Sequence, residues 1–465
     1  MAAAKALMMK KVGVTGADGF IGRALVTALV GRGDYVRALV RHPDRAKLPA
    51  GVDVRRVDVM QFIPANVLGE LDAVIHLAGE SVAGRWTAEK KRAIHDSRQI
   101  GTRNLVNALL IGERPPKVLL SASASGYYGD RGDAPLEESA RPGNDFLARV
   151  CIDWEAEALR AAHFGVRVVC LRQGLVWGSG GGALQAMLPA FKWGAGGPLG
   201  SGKQWWPWIH LDDLVRLFLF ALDDEQLSGA LNAVSPDVAS NARFARALGH
   251  ALNRPALAPA PSVALKLLLG EFAESLLASQ LMLPGKADDR GFVWQQELLE
   301  QALLGIFQSA RPPALEHLES NELIAAGYDR VFQFFSQPAN LAALTPPSVG
   351  FEMLTPEPIA MRRGALIEYK LKVRGLPIRW KTLVVRWRPD EGFTDVQLRG
   401  PYQLWRHRHG FAARDGGTLV RDRVDYSLPH APLSNIALPF VRREVEEIFR
   451  YRKARIAELM SGDRA

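Results

Sequence analysis

The run Gly13-Val-Thr-Gly16-Ala-Asp-Gly19-Phe-Ile-Gly22 restricts this chain more than any other stretch. It grows out of the apolar segment Lys11–Thr15 and leads into Ala24, Leu25, Ala28 and Leu29, which recur at helical spacing. Strand, glycine turn and amphipathic helix in that order open a doubly wound sheet. Glycine lets the chain turn tightly and brings backbone N–H groups close to a ligand. The helix N-terminus adds its positive dipole, so a pyrophosphate is the expected guest. The plainer reading of the same residues is a tight turn that binds nothing.

Further strand-like runs at Tyr35–Val40, Ala73–Leu77, Val118–Ser121 and Val166–Leu171 alternate with helical patterns up to about residue 235. Such alternation implies parallel pairing with crossover helices, hence an α/β fold of Rossmann type over residues 10–235. Residues 236–307 read as a helical extension that completes a substrate lobe, with Pro255, Pro259 and Pro261 marking a loop inside it. Pro312-Pro313 punctuates a boundary. Residues 315–462 then give a helical stretch, a series of alternating strands and a final helix. In that helix Val441, Val445, Ile448, Phe449, Arg452 and Ile456 share one face.

The end of the second strand selects the dinucleotide. An NAD site needs an acid there for the ribose hydroxyls, but Leu39-Val40-Arg41 ends in a cation and the nearest acid is Asp44. An arginine suits a 2′-phosphate through charge-assisted hydrogen bonds, so NADP is expected over NAD. The candidate cofactor residues are Gly13, Gly16, Asp18, Gly19, Phe20, Ile21, Gly22, Val40 and Arg41. The bland reading makes Arg41 a solvated strand end.

Charge and composition narrow the rest. The 465 residues carry a net charge of +9, and from Arg311 onward there are 24 basic and 18 acidic residues. The cations alternate with apolar residues, as in Lys370-Leu371-Lys372-Val373-Arg374 and Arg386-Trp387-Arg388. That is the pattern of a half-exposed strand with a wet face, and nucleic acid is not an expected partner. The longest apolar candidate, Ala256 to Gln280, is broken by Lys266, Glu271 and Glu274, so no membrane span is expected. Met1 to Lys11 lacks the apolar core of a secretion signal. Two cysteines make no disulfide framework, no CxxC suggests a metal, and a cytoplasmic location follows as the expectation.

Gly13 to Gly22 and Val74-Ile-His76-Leu-Ala-Gly79 together resemble the extended short-chain dehydrogenase/reductase superfamily. Ser121-Ala-Ser-Ala-Ser-Gly-Tyr-Tyr-Gly129, Trp154-Glu155, Gly180-Gly-Gly182 and Gly200-Ser-Gly-Lys-Gln-Trp-Trp-Pro-Trp-Ile-His210 narrow the likeness to its atypical, epimerase-like (NAD-dependent epimerase/dehydratase) branch, from Lys10 to about Phe307. The resemblance implies that Leu77, Ala78 and Gly79 line the adenosine side of the cofactor and that Arg98 reaches toward it. It also implies a Ser that orients substrate, a Tyr that transfers a proton and a Lys four residues on that lowers the Tyr pKa. Ser123 matches the serine, with Ser125 as the fallback. The family's spacing puts Leu147 at the Tyr position and Cys151 at the Lys position, and no YxxxK occurs before residue 310.

Three readings stand. Tyr127 or Tyr128 supplies the phenol from another direction; Cys151 acts as acid or nucleophile; or the site binds cofactor without the usual proton transfer. Trp205, Trp206 and Trp208 either wall a substrate pocket or pack the second lobe, while His76 and His210 read as packed or strand-end histidines.

Tyr328-Asp-Arg-Val-Phe-Gln-Phe-Phe-Ser-Gln-Pro-Ala-Asn-Leu341, followed by Leu344-Thr-Pro-Pro347, resembles the START-related helix-grip superfamily, which includes polyketide cyclases and lipid-binding proteins. The likeness implies an α+β domain with an antiparallel sheet around the last helix and an apolar cavity between them. A helix packed on a sheet without a cavity would show the same pattern. Arg399, Tyr402, Trp405, His407 and His409 are its candidate polar groups, and no histidine–carboxylate pairing at metal-ligand spacing is visible along the chain. The chain thus reads as an NADP-binding, epimerase- or reductase-like module acting on a small carbonyl or apolar substrate. It is joined to a module that holds an apolar ligand, and homo-oligomers are compatible with this reading. The alternative is a regulatory or sensor protein that couples nucleotide and lipid-like ligands.

Overall fold

The computed structural model describes residues 9–112, 114–309, 315–373, 375–429 and 436–461. Pro312-Pro313, Arg374 and most of Met1 to Lys11 fall outside these. Two units result, Met1–Arg311 and Pro312–Ala465.

The first unit is built on seven strands: β1 (Lys11–Thr15), β2 (Tyr35–Val40), β3 (Asp53–Arg56), β4 (Ala73–His76), β5 (Val118–Ala124), β6 (Arg167–Gln173) and β7 (Gly229–Ala233). They lie parallel in the order β7-β6-β5-β4-β1-β2-β3. Helices cover both faces of the central strands, so Val12, Val14, Val74, Ile75, Leu119 and Leu120 are all fully buried. This two-sided burial explains why the strands read as continuous apolar runs rather than alternating ones. The chain order reverses between β1 and β4, which opens a crevice at their carboxyl ends.

Helix α1 (Phe20–Gly31) sets Leu25 and Leu29 into one face of the sheet. On the other face, α2 (Ala88–Ile111) contributes Leu105, Val106 and Leu109. Helix α3 (Phe146–Leu159) follows β5 and packs along α2. The helical extension shares a core with residues 177–208, where Trp177 stacks on Phe244 at 4.6 Å and Trp206 and Trp208 are buried. Trp205 donates its indole N–H to Asp133 at 2.9 Å. The tryptophan cluster is therefore packing, not a pocket wall.

The second unit contains β8 (Glu316–Ile324), β9 (Gly350–Met353), β10 (Leu366–Val373), β11 (Leu376–Arg388), β12 (Gly392–Arg399), β13 (Leu404–Arg414) and β14 (Gly417–Ser427), closed by helix α4 (Leu438–Ser461). Its sheet is antiparallel in the order β8-β14-β13-β12-β11-β10-β9. Val445, Phe449 and Ile456 of α4 are buried, as the shared apolar face requires.

A register shift between Val384 and Arg386 interrupts the period-two pattern of β11. Leu383, Val384 and Val385 are consequently all buried, while Arg388 pairs with Glu391 at 2.9 Å. Lys370 and Lys381 find carboxylates across the sheet, Glu352 at 3.2 Å and Glu368 at 3.5 Å. No helix among the described residues is long and apolar enough to cross a membrane.

Candidate functional site

The glycine turn at the end of β1 is dictated by space. Gly16 has φ +64, and a Cβ there would stand 3.0 Å from Ala78 N. At Gly22 a Cβ would stand 2.2 Å from the Gly16 carbonyl oxygen, so only glycine lets α1 start against the turn. Gly19 is the N-cap of α1; it offers no side chain to the helix, and the first turn holds no acid. The first N–H groups of a 12-residue helix are thus left for a ligand, which makes an anion site.

Around this turn Thr15 Oγ accepts N–H bonds from Leu77 at 3.1 Å and Ala78 at 3.2 Å. Its own proton then goes to His76 Nδ1 at 2.7 Å, and His76 Nε2 donates to Thr102 Oγ at 3.0 Å. Burial, with Arg98 nearby, lowers the His76 pKa to about 4, so the ring is neutral. His76 is a packed histidine that fixes the Leu77-Ala78-Gly79 turn. Arg98 leans over Gly79, where a Cβ would be 3.4 Å from its guanidinium carbon. It rests on the Trp154 ring at 5.0 Å and donates to the carbonyl oxygen of Glu80 at 2.9 Å. Val40 is buried and Arg41 stands exposed at the end of β2.

Phe20 occupies the opposite side of the turn. Its ring lies where a Cβ on Gly181 would sit, 2.4 Å away, which accounts for the Gly180-Gly-Gly182 run. Asp18 and Ile21 are half-buried in the turn. Beyond it opens a cleft of about 1120 Å³, bordered by Arg98, Ser125, Cys151, Gln173, Gly182 and Phe272 among others. Trp86, Phe146 and Phe272 form an aromatic wall with ring centroids 5.1 and 5.5 Å apart. Lys91 lies over Phe146 at 4.9 Å and pairs with Glu271 at 2.6 Å.

Residues 12–233 match the model of the NAD dependent epimerase/dehydratase family, and residues 260–306 match a domain of unknown function, DUF1731. An "Epimerase family protein SDR39U1 homolog, chloroplastic" from Arabidopsis thaliana is 41% identical over 64% of this chain and 86% of its own. An epimerase family protein of Mycobacterium tuberculosis is 37% identical over 63% of this chain and 96% of its own. The chain belongs to the epimerase family. A crystal structure of human epimerase family protein SDR39U1 with NADPH is 34% identical, with a TM-score of 0.59 over 64% of this chain and 99% of that one.

Within this epimerase-family unit the hydroxyls expected to meet substrate turn inward. Ser123 is 2% exposed and donates to Glu155 Oε1 at 2.7 Å. Arg172 grips Glu155 through two bonds of 2.8 Å and donates to the Tyr128 hydroxyl at 3.0 Å. Tyr128 in turn donates to Asn232 Oδ1 at 2.7 Å, and burial raises its pKa. Ser123 and Tyr128 both belong to a buried network linking β5, α3, β6 and β7. Tyr127 is half-buried with its ring 3.4 Å from the Arg172 guanidinium.

Cys151 lines the cleft, yet burial, with Glu155 adding to it, pushes its thiol up to about 12, and its S–H points to the Ala124 carbonyl at 3.8 Å. It is a protonated packing residue at neutral pH. Ser125, the fallback serine, lines the cleft. One cleft group escapes sequence reasoning: Gln173, whose side-chain N–H₂ is buried without a hydrogen-bond partner among the described residues. Only the end point of β6 identifies Gln173.

The second unit holds a cavity of about 460 Å³ between sheet and α4, lined by Phe335, Trp380, Phe393, Trp405, Val445 and Phe449 among others. His407 and His409, two residues apart on β13, face into it. His409 Nε2 is 3.3 Å from Asp395 Oδ2, and His409 Nδ1 is 2.8 Å from Asp422 Oδ1. Burial, with His409 beside it, lowers the His407 pKa to about 4. Burial acts to lower the His409 pKa as well, but Asp422 and Asp395 override it and leave the value raised. Histidines and carboxylates therefore do meet here, contrary to the reading along the chain. The pairing runs across strands, Asp395 opposite His407 and Asp422 opposite His409.

Proposed function

We propose that the first unit binds NADP(H) and reduces or epimerises a small carbonyl compound in its cleft, while the second unit holds an apolar molecule. The reading rests on one observation above all: Gly16, Gly19 and Gly22 leave the α1 N-terminus open beside a turn where no Cβ fits. Gly13, Asp18, Phe20, Ile21 and Val40 complete that cradle, and Leu77, Ala78, Gly79 and Arg98 border it. Arg41, a cation where an NAD site needs an acid, supports the 2′-phosphate and so NADP over NAD. The human relative's NADPH agrees with that choice.

When bound, the nicotinamide gives or takes a hydride. The chain's part is to orient the carbonyl and handle a proton. Ser125 and the Gln173 amide supply donors at the cleft wall for a substrate oxygen. Tyr127 supplies the candidate phenol, because its hydroxyl makes no hydrogen bond among the described residues, whereas those of Ser123 and Tyr128 are committed. The aromatic wall of Trp86, Phe146 and Phe272 favours a substrate with an apolar or ring-bearing part.

The test is NADPH titration of the purified chain, followed by NADPH oxidation with a broad panel of aldehydes and ketones. Turnover with at least one carbonyl, lowered in kcat but not in NADPH affinity by Tyr127→Phe, is expected. A protein that fails to bind NADPH overturns the reading. Binding without turnover favours the second reading, an NADP-occupied regulatory protein. The specific observation behind that alternative is the pair Leu147 and Cys151, which puts no phenol or ammonium at the expected positions.

A further inference from the structure

We infer that Asp395, His407 and His409 form a binding site for a single divalent first-row transition-metal ion, of the zinc or ferrous type, at the wall of the second unit's cavity. The donor atoms of the three lie within 4.8 Å of one another. Metal–nitrogen and metal–oxygen bonds of about 2.0–2.2 Å need donors roughly 3–4 Å apart, so side-chain torsions alone close the set. Two imidazoles and one carboxylate suit zinc or ferrous ion and do not suit magnesium or calcium, which take oxygen ligands.

The sheet supplies this arrangement by register. His407 and His409 alternate along β13 and so project to the same face. Asp395 stands directly opposite His407 on β12, and Asp422 directly opposite His409 on β14. Asp422 then sits behind His409. It lies 2.8 Å from His409 Nδ1, on the far side of the ring from the nitrogen that faces Asp395, and 3.3 Å from His407 Nε2. A carboxylate behind a metal-ligating imidazole fixes the ring and raises its basicity.

His407 and His409 are 5% and 6% exposed, so the donors sit in a dry setting on β-strands, which hold side chains more rigidly than loops. Phe393 stacks on His409 at 4.2 Å and Phe449 meets His407 at 5.4 Å, so aromatic rings flank both imidazoles. All three ligands line the cavity, so the remaining coordination positions of the ion open into it. Arg452 and Glu444 of α4 also line the cavity and complete its charged groups on the helix side. The competing account is a closed histidine–aspartate ion-pair cluster with no affinity for metal.

The experiment uses the untagged full-length chain, stripped with a chelator and titrated with Co²⁺ and then Zn²⁺, neither of which needs the cavity's organic ligand. One Co²⁺ per chain with visible ligand-field bands, displaced by Zn²⁺, is the expected result. Asp395→Asn and His407→Gln should each weaken Zn²⁺ binding at least about 100-fold, and Asp422→Asn about 10- to 100-fold as an outer partner. Circular dichroism of each variant reports folding. Should His407→Gln fail to fold, Asp395→Asn and the wild-type stoichiometry decide. Absence of saturable Co²⁺ and Zn²⁺ binding by the folded wild type, or undiminished binding in folded Asp395→Asn, overturns the assignment.

Discussion

Replacing Glu155 by alanine separates a structural from a catalytic role for the residues around Ser123. Glu155 is 7% exposed and receives three hydrogen bonds, two from Arg172 and one from Ser123. Its loss would leave the Arg172 guanidinium, itself 4% exposed, without a counter-charge. Breaking one side of a buried, hydrogen-bonded ion pair costs about 3–5 kcal/mol. Amides in 118–124 and 167–173 that exchange through unfolding of the first unit should then lose roughly two to three and a half orders of magnitude of protection in the full-length protein. Ser123→Ala removes a single bond to a charged acceptor while Glu155 keeps its partner, so about 1.5–3 kcal/mol is expected, with a smaller loss of protection in the same peptides. Hydrogen-exchange mass spectrometry reads both. Unchanged protection in Ser123→Ala together with abolished turnover would refute the network role and restore Ser123 as a substrate-orienting hydroxyl.

Three further outcomes follow from the same geometry. Gly22→Ala must push a methyl out from 2.2 Å to normal contact with the Gly16 oxygen, displacing the α1 N-terminus by about 1 Å; NADPH affinity measured by fluorescence should fall about 100-fold with circular dichroism unchanged. Arg41→Asp should lower the NADPH-to-NADH affinity ratio by roughly 10- to 150-fold, the worth of one charge-assisted contact, and an unchanged ratio would place the 2′-phosphate elsewhere. His76, held down to about 4 from 6.5 mainly by burial, resists protonation in the folded state only. Its contribution is therefore intact above about pH 6.5 and declines as the pH falls toward 4, by about 3 kcal/mol in all. Unfolding free energies at neutral and acidic pH should show that slope flattened in His76→Gln.

What the sequence revealed divides along a physical line. The glycine turn was legible because it is a backbone constraint: Gly16 and Gly22 lack a Cβ for reasons set within nine residues of one another or by the adjacent strand end. The alternation of apolar runs and helical spacing likewise carried the parallel sheet, since period and burial are local properties. The inward turn of Ser123 was not legible, because Glu155 lies on α3 and Arg172 on β6, 32 and 49 positions away. Nothing in the order of residues says that the three meet. The His407–His409 pair was visible as an alternation on one strand, but its carboxylates depend on the register of β12 and β14, which spacing along the chain does not encode. The bulge in β11 hid for the same reason, as three consecutive buried residues imitate a two-sided strand.

The fate of the expected Tyr and Lys positions ties these threads together. Leu147 and Cys151 lie one turn apart on α3 and press against the Ser125-Gly126 turn; a Cβ on Gly126 would be 3.0 Å from Leu147 Cβ and 3.7 Å from Cys151 Sγ. The helix thus approaches the loop closely, with apolar side chains where a phenol and an ammonium would stand. One layer deeper, the Glu155–Arg172 pair supplies the charge and the hydrogen bonds that hold β5, α3 and β6 together. The groups lining the cleft beside them include Ser125, the Gln173 amide and the cations Lys91, Arg98, Arg149 and Lys266. Ser123 and Tyr128 lie one layer below that lining, hydrogen-bonded to Glu155 and Asn232, which leaves Ser125 as the hydroxyl of the 121–128 run that lines the cleft.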